Sequence, residues 1–288
     1  MRNLIALGVL SLVSFRTVAQ LQPANNNTES AVDRARTLLN EGFDDGDYTV
    51  RIQAITSAGM VKKDDALLHR LQGFLADKNV QVRLATVQTL SDFHTPDVAA
   101  VLREDLNKEE TPEVWFAIAK VLGTWGDPGG TKALINVYDR NHKTRSGVLK
   151  REERNVKNQF HSTPSAVVFI VSRGVGYVPV PGAGEGFSAI SSLLRDPAIS
   201  DRASVLLILC RKKTRTSEKL LRRSLKDDDW SVRAVAAQMI AHTAQTDLLD
   251  ALIPLFDDKN QKVRFRAVGA YLHLNLVAKQ MEAGTTRH

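Results

Sequence analysis

One phrase recurs along this chain and sets its period. It reads Asp258-Lys-Asn-Gln-Lys-Val263-Arg264 near the C-terminus and Asp227-Asp-Asp-Trp-Ser-Val232-Arg233 just upstream. Near the N-terminus it reads Asp77-Lys-Asn-Val-Gln-Val82-Arg83. Each copy has an Asp six residues before an Arg, with Val just before that Arg. The same frame fits Asp45 to Val50-Arg51, and Asp196 to Arg202 with Asp201 in place of Val. Arg51 and Arg83 are 32 residues apart, and Arg202, Arg233 and Arg264 follow at steps of 31. A fixed period of roughly 20 to 50 residues marks stacked supersecondary units, none of which can bury its apolar face alone.

Between the phrases the apolar residues fall at helical spacing. Val32, Ala35, Leu38 and Leu39 predict a helix over Ala31–Asn40, ended by Gly42, and Tyr48–Met60 is its partner. Asp65–Leu75 with Val80–Leu90, and Val98–Leu106 with Pro112–Leu122, form the next two pairs. Pro112 suits a first helical turn, where its missing N–H costs nothing. In this third repeat Trp115 stands where the Arg is expected. Gly130–Tyr138 opens a fourth pair, and Asp139 to Arg145 keeps the six-residue frame before a highly charged helix, Gly147–Phe160. Then the period breaks. Arg145 to Arg202 spans 57 residues, about 26 more than one such repeat needs. The surplus, Ser162–Glu185, holds the run Ala166–Val171 and a Gly/Pro-rich stretch to Gly186, which suits a hairpin or ordered loop. Phe187–Leu194 with Ile199–Arg211, Glu218–Leu225 with Val232–His242, and Asp247–Phe256 with Val263–Leu276 complete the array. The tail after Ala278 is expected to fray.

The phrase and its surroundings resemble the HEAT repeat, in the short form also found in phycobiliprotein-lyase-like proteins. Leu252-Ile-Pro254-Leu-Phe-Asp-Asp258 through Val263-Arg264 and Ala267 is the best match to that form. The resemblance implies an all-α fold, an α-solenoid of stacked HEAT-like helical pairs, and the broken period adds a central Gly/Val-rich non-helical insert. The expected division is a signal peptide over 1–19, a flexible leader over 20–31, repeats over 32–161, the insert over 162–186, repeats over 187–280 and a tail over 281–288. The family is specific for fold and almost silent on activity.

The N-terminus reads as an export signal. Arg2 supplies a positive start, Leu4–Phe15 is an apolar run of twelve, and Thr17-Val-Ala19 places small residues where a signal peptidase cuts. Cleavage after Ala19 removes Arg2 and Arg16 and lowers the formal charge from +7 to +5. The expected location is periplasmic or extracellular. Cys210 is the only cysteine, so no internal disulfide can form. It lies in an apolar run at helical spacing and reads as a small buried hydrophobe.

The repeated charges read as scaffolding. An Asp in the turn can accept N–H groups at the positive start of the second helix. The Arg one turn later can reach the Asp of its own or the adjacent repeat, since its planar fork fits a carboxylate. Asp45, Arg51, Asp77, Arg83, Asp196, Arg202, Asp227, Arg233, Asp258 and Arg264 would then form a ladder beside the core.

Chemistry finds little support. Arg173-Gly174-Val-Gly176 lacks the third glycine of a dinucleotide loop, and no Gly-Lys-Ser/Thr closes a phosphate loop. The seven histidines show no His-x-x-x-His or His-Glu pairing, and no Gly-x-Ser-x-Gly occurs. No catalytic residue, cofactor site or metal site is assigned. Arg211–Lys226 holds eight Lys and Arg against Glu218 alone, a density that favours acidic proteins, anionic lipid or nucleic acid. An export signal disfavours genomic DNA. The candidate partner-binding residues are Phe169, Arg173 and Tyr177 of the insert, Trp115, and Arg211, Lys212, Lys213, Arg215, Arg222 and Arg223. The expected function is an exported, non-catalytic scaffold that binds another protein or an acidic macromolecule on its concave face and insert. The alternative that the resemblance leaves open is a HEAT-like enzyme or chromophore-binding lyase.

Overall fold

The computed structural model of the chain describes residues 25–143 and 196–285, apart from Pro197. Every described element is helical: α1 (Asn25–Asp44), α2 (Tyr48–Ala58), α3 (Asp65–Gly73), α4 (Val80–Leu90), α5 (Pro96–Lys108), α6 (Pro112–Thr124) and α7 (Pro128–Lys143). After residues 144–195 come α8 (Asp201–Leu209), α9 (Arg215–Ser224), α10 (Trp230–His242) and α11 (Gln261–Thr285). Three short 3-10 segments, Phe74–Ala76, Thr246–Leu248 and Asp250–Asp257, complete the set. The insert Ser162–Glu185 and the first twenty residues lie outside the described residues.

The recurring phrase builds each turn by a two-step relay. Asp77 Oδ1 accepts the N–H of Asn79, and Asn79 Oδ1 accepts the N–H of Gln81 as the N-cap of α4. Asp45, Asp47 and Thr49 repeat this ahead of α2. Asp227, Asp229 and Ser231 do so ahead of α10, and Asp258, Asn260 and Lys262 ahead of α11. Short polar side chains satisfy the orphan N–H groups of a helix start, each contributing about 1 kcal/mol. One motif thus writes both the turn and the start of the next helix. The third repeat substitutes Glu109, which accepts from Thr111, followed by Pro112 in the first turn.

Four expected boundaries move. Gly42 does not end α1, which begins at Asn25 and continues to Asp44. α7 runs through Asp139 to Lys143, so that Asp sits inside a helix and not in a turn. Nothing between Ile135 and Lys143 is a Gly or Pro that would stop it. Asp250–Asp257 winds as 3-10 because Pro254 lies within it, lacks an N–H and clashes with the carbonyl four residues back. The C-terminal helix passes Ala278 and reaches Thr285.

The order of packing differs from the order of the chain. α2 packs on α4, α4 on α6, and α6 on α7; α8 packs on α10 and α10 on α11. The last helix, α11, then packs on α1 and α2, at the start of the N-terminal block. Two glycines make this seam. A Cβ on Gly42 would lie 2.4 Å from the ring of Phe265, and one on Gly269 would lie 2.4 Å from the carbonyl oxygen of Ser57. Each glycine is interior to a helix, where it costs about 0.5–1 kcal/mol relative to Ala. The close crossing of α11 over α1 and α2 requires them. Arg34 adds an ion pair to Asp257 across the same seam and lies 5.8 Å from the centroid of the Phe256 ring. One core runs through both blocks, from Ala31 to Leu274.

Candidate functional site

The ladder has a consistent geometry. Arg51 donates Nη1 to the carbonyl oxygen of Asp45, six residues back, and Nε to the carboxylate of Asp77 in the next repeat at 3.1 Å. Arg83 donates to the Asp77 carbonyl and to Glu109 at 3.0 Å, with Thr111 Oγ1 as a further acceptor. Arg233 donates to the Asp227 carbonyl and grips Asp258 with Nε at 2.6 Å and Nη2 at 2.8 Å. Arg202 reaches Asp227 at 3.1 Å. Arg51, Arg83 and Arg233 therefore each tie their own turn and the next one, while Arg202 reaches the next. Asp196 accepts instead from Lys262, whose ammonium lies 4.9 Å from the Trp230 ring centroid.

Burial pushes the Asp258 carboxyl up, but the Arg233 fork and the Asn260 N–H outweigh it and leave the group below the ordinary range. Asp227 is balanced the same way by Asp229 N–H and Arg202, and Glu109 by Thr111 and Arg83. These carboxylates are held ionised by donors already satisfied within the scaffold.

The ladder stops at the seam. Arg264 donates Nη1 to the Asp258 carbonyl at 2.8 Å. Among the described residues, no carboxylate lies within ion-pair distance of it. Arg264 and Asp45, the counterparts of a rung, both line a shallow cavity of about 150 Å³ with Leu38, Gly42 and Phe265. Packing continues across this junction where the ion-pair ladder does not.

The basic cluster is exposed throughout: Arg211, Lys212, Lys213, Arg215, Lys219, Arg222, Arg223 and Lys226 all face solvent. α9 turns Ser217, Leu221 and Ser224 inward and its cations outward. Arg222 pairs with Glu218 at 3.6 Å, and Lys213 with Asp247 at 3.8 Å. Arg211, Lys212, Arg215, Lys219, Arg223 and Lys226 form no ion pair among the described residues. Trp115 is half-buried on α6 and packs against the core, so it is less available than its place in the phrase suggested. Phe169, Arg173 and Tyr177 lie outside the described residues. Cys210 is fully buried, and burial raises its thiol pKa. Among the described residues no group of three His, Cys, Asp or Glu side chains could hold a metal ion.

Reading the repeats for charge missed an apolar row. Ile52, Leu84 and Phe116 each follow the ladder position by one residue, at steps of 32. Their helices pack in succession, α2 on α4 and α4 on α6. Ile52 and Leu84 are partly buried, while Phe116 is 40% exposed, with the Lys120 ammonium 5.7 Å from its ring centroid. The signal was present in the sequence as the residue after the signature Arg. In the C-terminal block the same position is Ala234 and Phe265, both buried.

The family model described as HEAT repeats matches residues 32–123 and 188–271. No curated protein sequence matches the chain.

Proposed function

The chain belongs to the HEAT-repeat family, and from that premise we propose that it is an exported, non-catalytic scaffold holding a protein partner along the second helices of its N-terminal block. HEAT repeats generally mediate protein interactions, and stacked repeats offer extended surfaces. The observation that carries the reading is the row Ile52, Leu84 and Phe116. Three apolar side chains recur at one register position on successive helices, and the last is exposed. Aromatic anchors of this kind concentrate binding energy at protein interfaces. Export rests on Arg2, the apolar run Leu4–Phe15 and the Thr17-Val-Ala19 site.

A photo-crosslinking residue placed at Phe116 tests the first half in cells of the native host. The expected result is a discrete protein adduct that disappears in the Ile52→Ser/Leu84→Ser background and is absent when the probe sits at exposed Lys132. Equal adducts at both positions would sink the reading. N-terminal sequencing of the mature protein tests export: a chain beginning at Gln20 in the exported fraction supports it, and a retained Met1 does not.

A further inference from the structure

We propose that α8, the loop after it and the outer face of α9 form a docking surface for an anionic lipid bilayer. This surface is separate from the apolar row of the N-terminal block, and its failure leaves that reading intact. Two observations meet here. Val205, Ile208 and Leu209 are 51%, 69% and 61% exposed. Spaced i, i+3 and i+4, they share one face of α8. Seven large hydrophobic side chains are exposed among the described residues, and three of them sit on this one short helix. Directly after its C-cap, Cys210, come Arg211, Lys212 and Lys213, all exposed, then the outward cations of α9.

The combination selects the partner. Aliphatic side chains beside a cluster of Lys and Arg match the boundary between acyl chains and anionic headgroups. A nucleic acid would use the cations, but single-strand binding also wants stacking rings, and no aromatic residue occurs from Asp196 to Asp229. No described helix is long and apolar enough to cross a membrane, so contact would be at the surface. Charge over the blocks agrees: residues 196–285 hold 15 Lys and Arg against 11 Asp and Glu, while residues 25–143 hold 14 against 18. The C-terminal block would face the lipid and the acidic block would face away.

Flotation of the full chain with phosphatidylcholine vesicles, with and without about a third phosphatidylglycerol, tests this. Wild type is expected to float only with the anionic vesicles, and less so as salt rises. Lys212→Glu/Lys213→Glu/Arg215→Glu should weaken partitioning about a hundredfold, at roughly fivefold or more per charge. Ile208→Ser/Leu209→Ser should weaken it about tenfold or more with an unchanged melting temperature, and Leu209→Trp should retain it. Loss in the charge variant alone would make the surface a general polyanion binder and overturn the proposal. A lowered melting temperature in the serine variant would show the trio covered by the chain itself, which also overturns it. So would equal flotation of all variants, or none by wild type.

Discussion

The two repeat blocks are built from one motif and have diverged in opposite directions. The C-terminal block keeps the Asp-to-Arg phrase, carries excess positive charge and buries one of its second helices, α10, almost entirely. In α10, every residue from Ser231 to Ala241 is buried, and four of them are alanines that let neighbouring helices approach closely. The N-terminal block carries excess negative charge, replaces the phrase with Glu109 and Trp115 in its third repeat, and leaves Phe116 exposed. Where the blocks meet, glycines do the joining and the ladder is absent. The difference teaches that the ladder fixes each turn against its neighbour, whereas close helix crossing decides which levels can meet at all.

The largest effect should follow from attacking the seam. Gly269→Leu drives a side chain toward the Ser57 carbonyl, which lies 2.4 Å from where its Cβ would sit. Backbone cannot yield as a side-chain tip can, and a loss of about 4 kcal/mol or more is expected. The blocks offer a direct readout when expressed as two chains, residues 20–143 and 187–288. They should co-purify, and Gly269→Leu should abolish the association. Gly42→Ala should cost less, since the Phe265 ring it meets can shift. Unimpaired association of the Gly269→Leu fragment would show that the blocks meet elsewhere.

A smaller effect separates the ladder from the seam. Arg233 and Asp258 have side chains only 8% and 6% exposed, so removing one strands a buried charge. Arg233→Ala should cost about 3–5 kcal/mol. Arg264→Ala removes one bond to a carbonyl and no ion pair, and should cost about 1 kcal/mol. Denaturant midpoints of the two variants measure the contrast. Equal losses would mean that the carboxylate adds nothing to the rung.

These two predictions also mark what could be read from the chain. The turns were legible because their bonds are local: Asp77 to Asn79 to Gln81 needs only five residues. The seam was not, because helical periodicity says which face is apolar and not which distant helix will cover it. Gly42 shows the difficulty in one residue. By local rules a glycine near a helix end is a stop signal, yet here it is an interior contact whose reason is Phe265, more than two hundred residues away. Asp139 shows the converse: its six-residue spacing to Arg145 satisfied the frame, but it lies inside α7, which runs on to Lys143. The apolar row escaped notice because a single Phe116 looks like core until the burial of its neighbours is known.

Acid should distinguish the blocks more gently. Asp227 and Asp258 sit below the ordinary carboxylate value in the folded chain. A group depressed by folding contributes stability that is complete above its unfolded value, near 3.8, and lost as pH falls below it. In the N-terminal block Glu109 and Asp127 act with the same sign. Asp105 opposes them: burial, then the Glu109 charge, raises it, so its contribution is complete below the unfolded value and lost as pH rises through the raised folded one. Melting temperatures from pH 6 to pH 3 should fall less steeply in Asp258→Asn and more steeply in Asp105→Asn. The same slope in both variants would remove this distinction.

The smallest effect on stability should come from the residue placed closest to function. Phe116 and Phe265 occupy one register position in the two blocks, at 40% and 7% exposure. Phe265→Ala empties a site between α11 and α1 and should cost about 3–5 kcal/mol. Phe116→Ala should change stability by about 0.5 kcal/mol or less. Under the function proposed above, Phe116 serves contact with a partner and not the scaffold. If thermal melts instead show Phe116→Ala to be as damaging as Phe265→Ala, the apolar row belongs to the core. Its alignment at steps of 32 residues would then reflect packing alone.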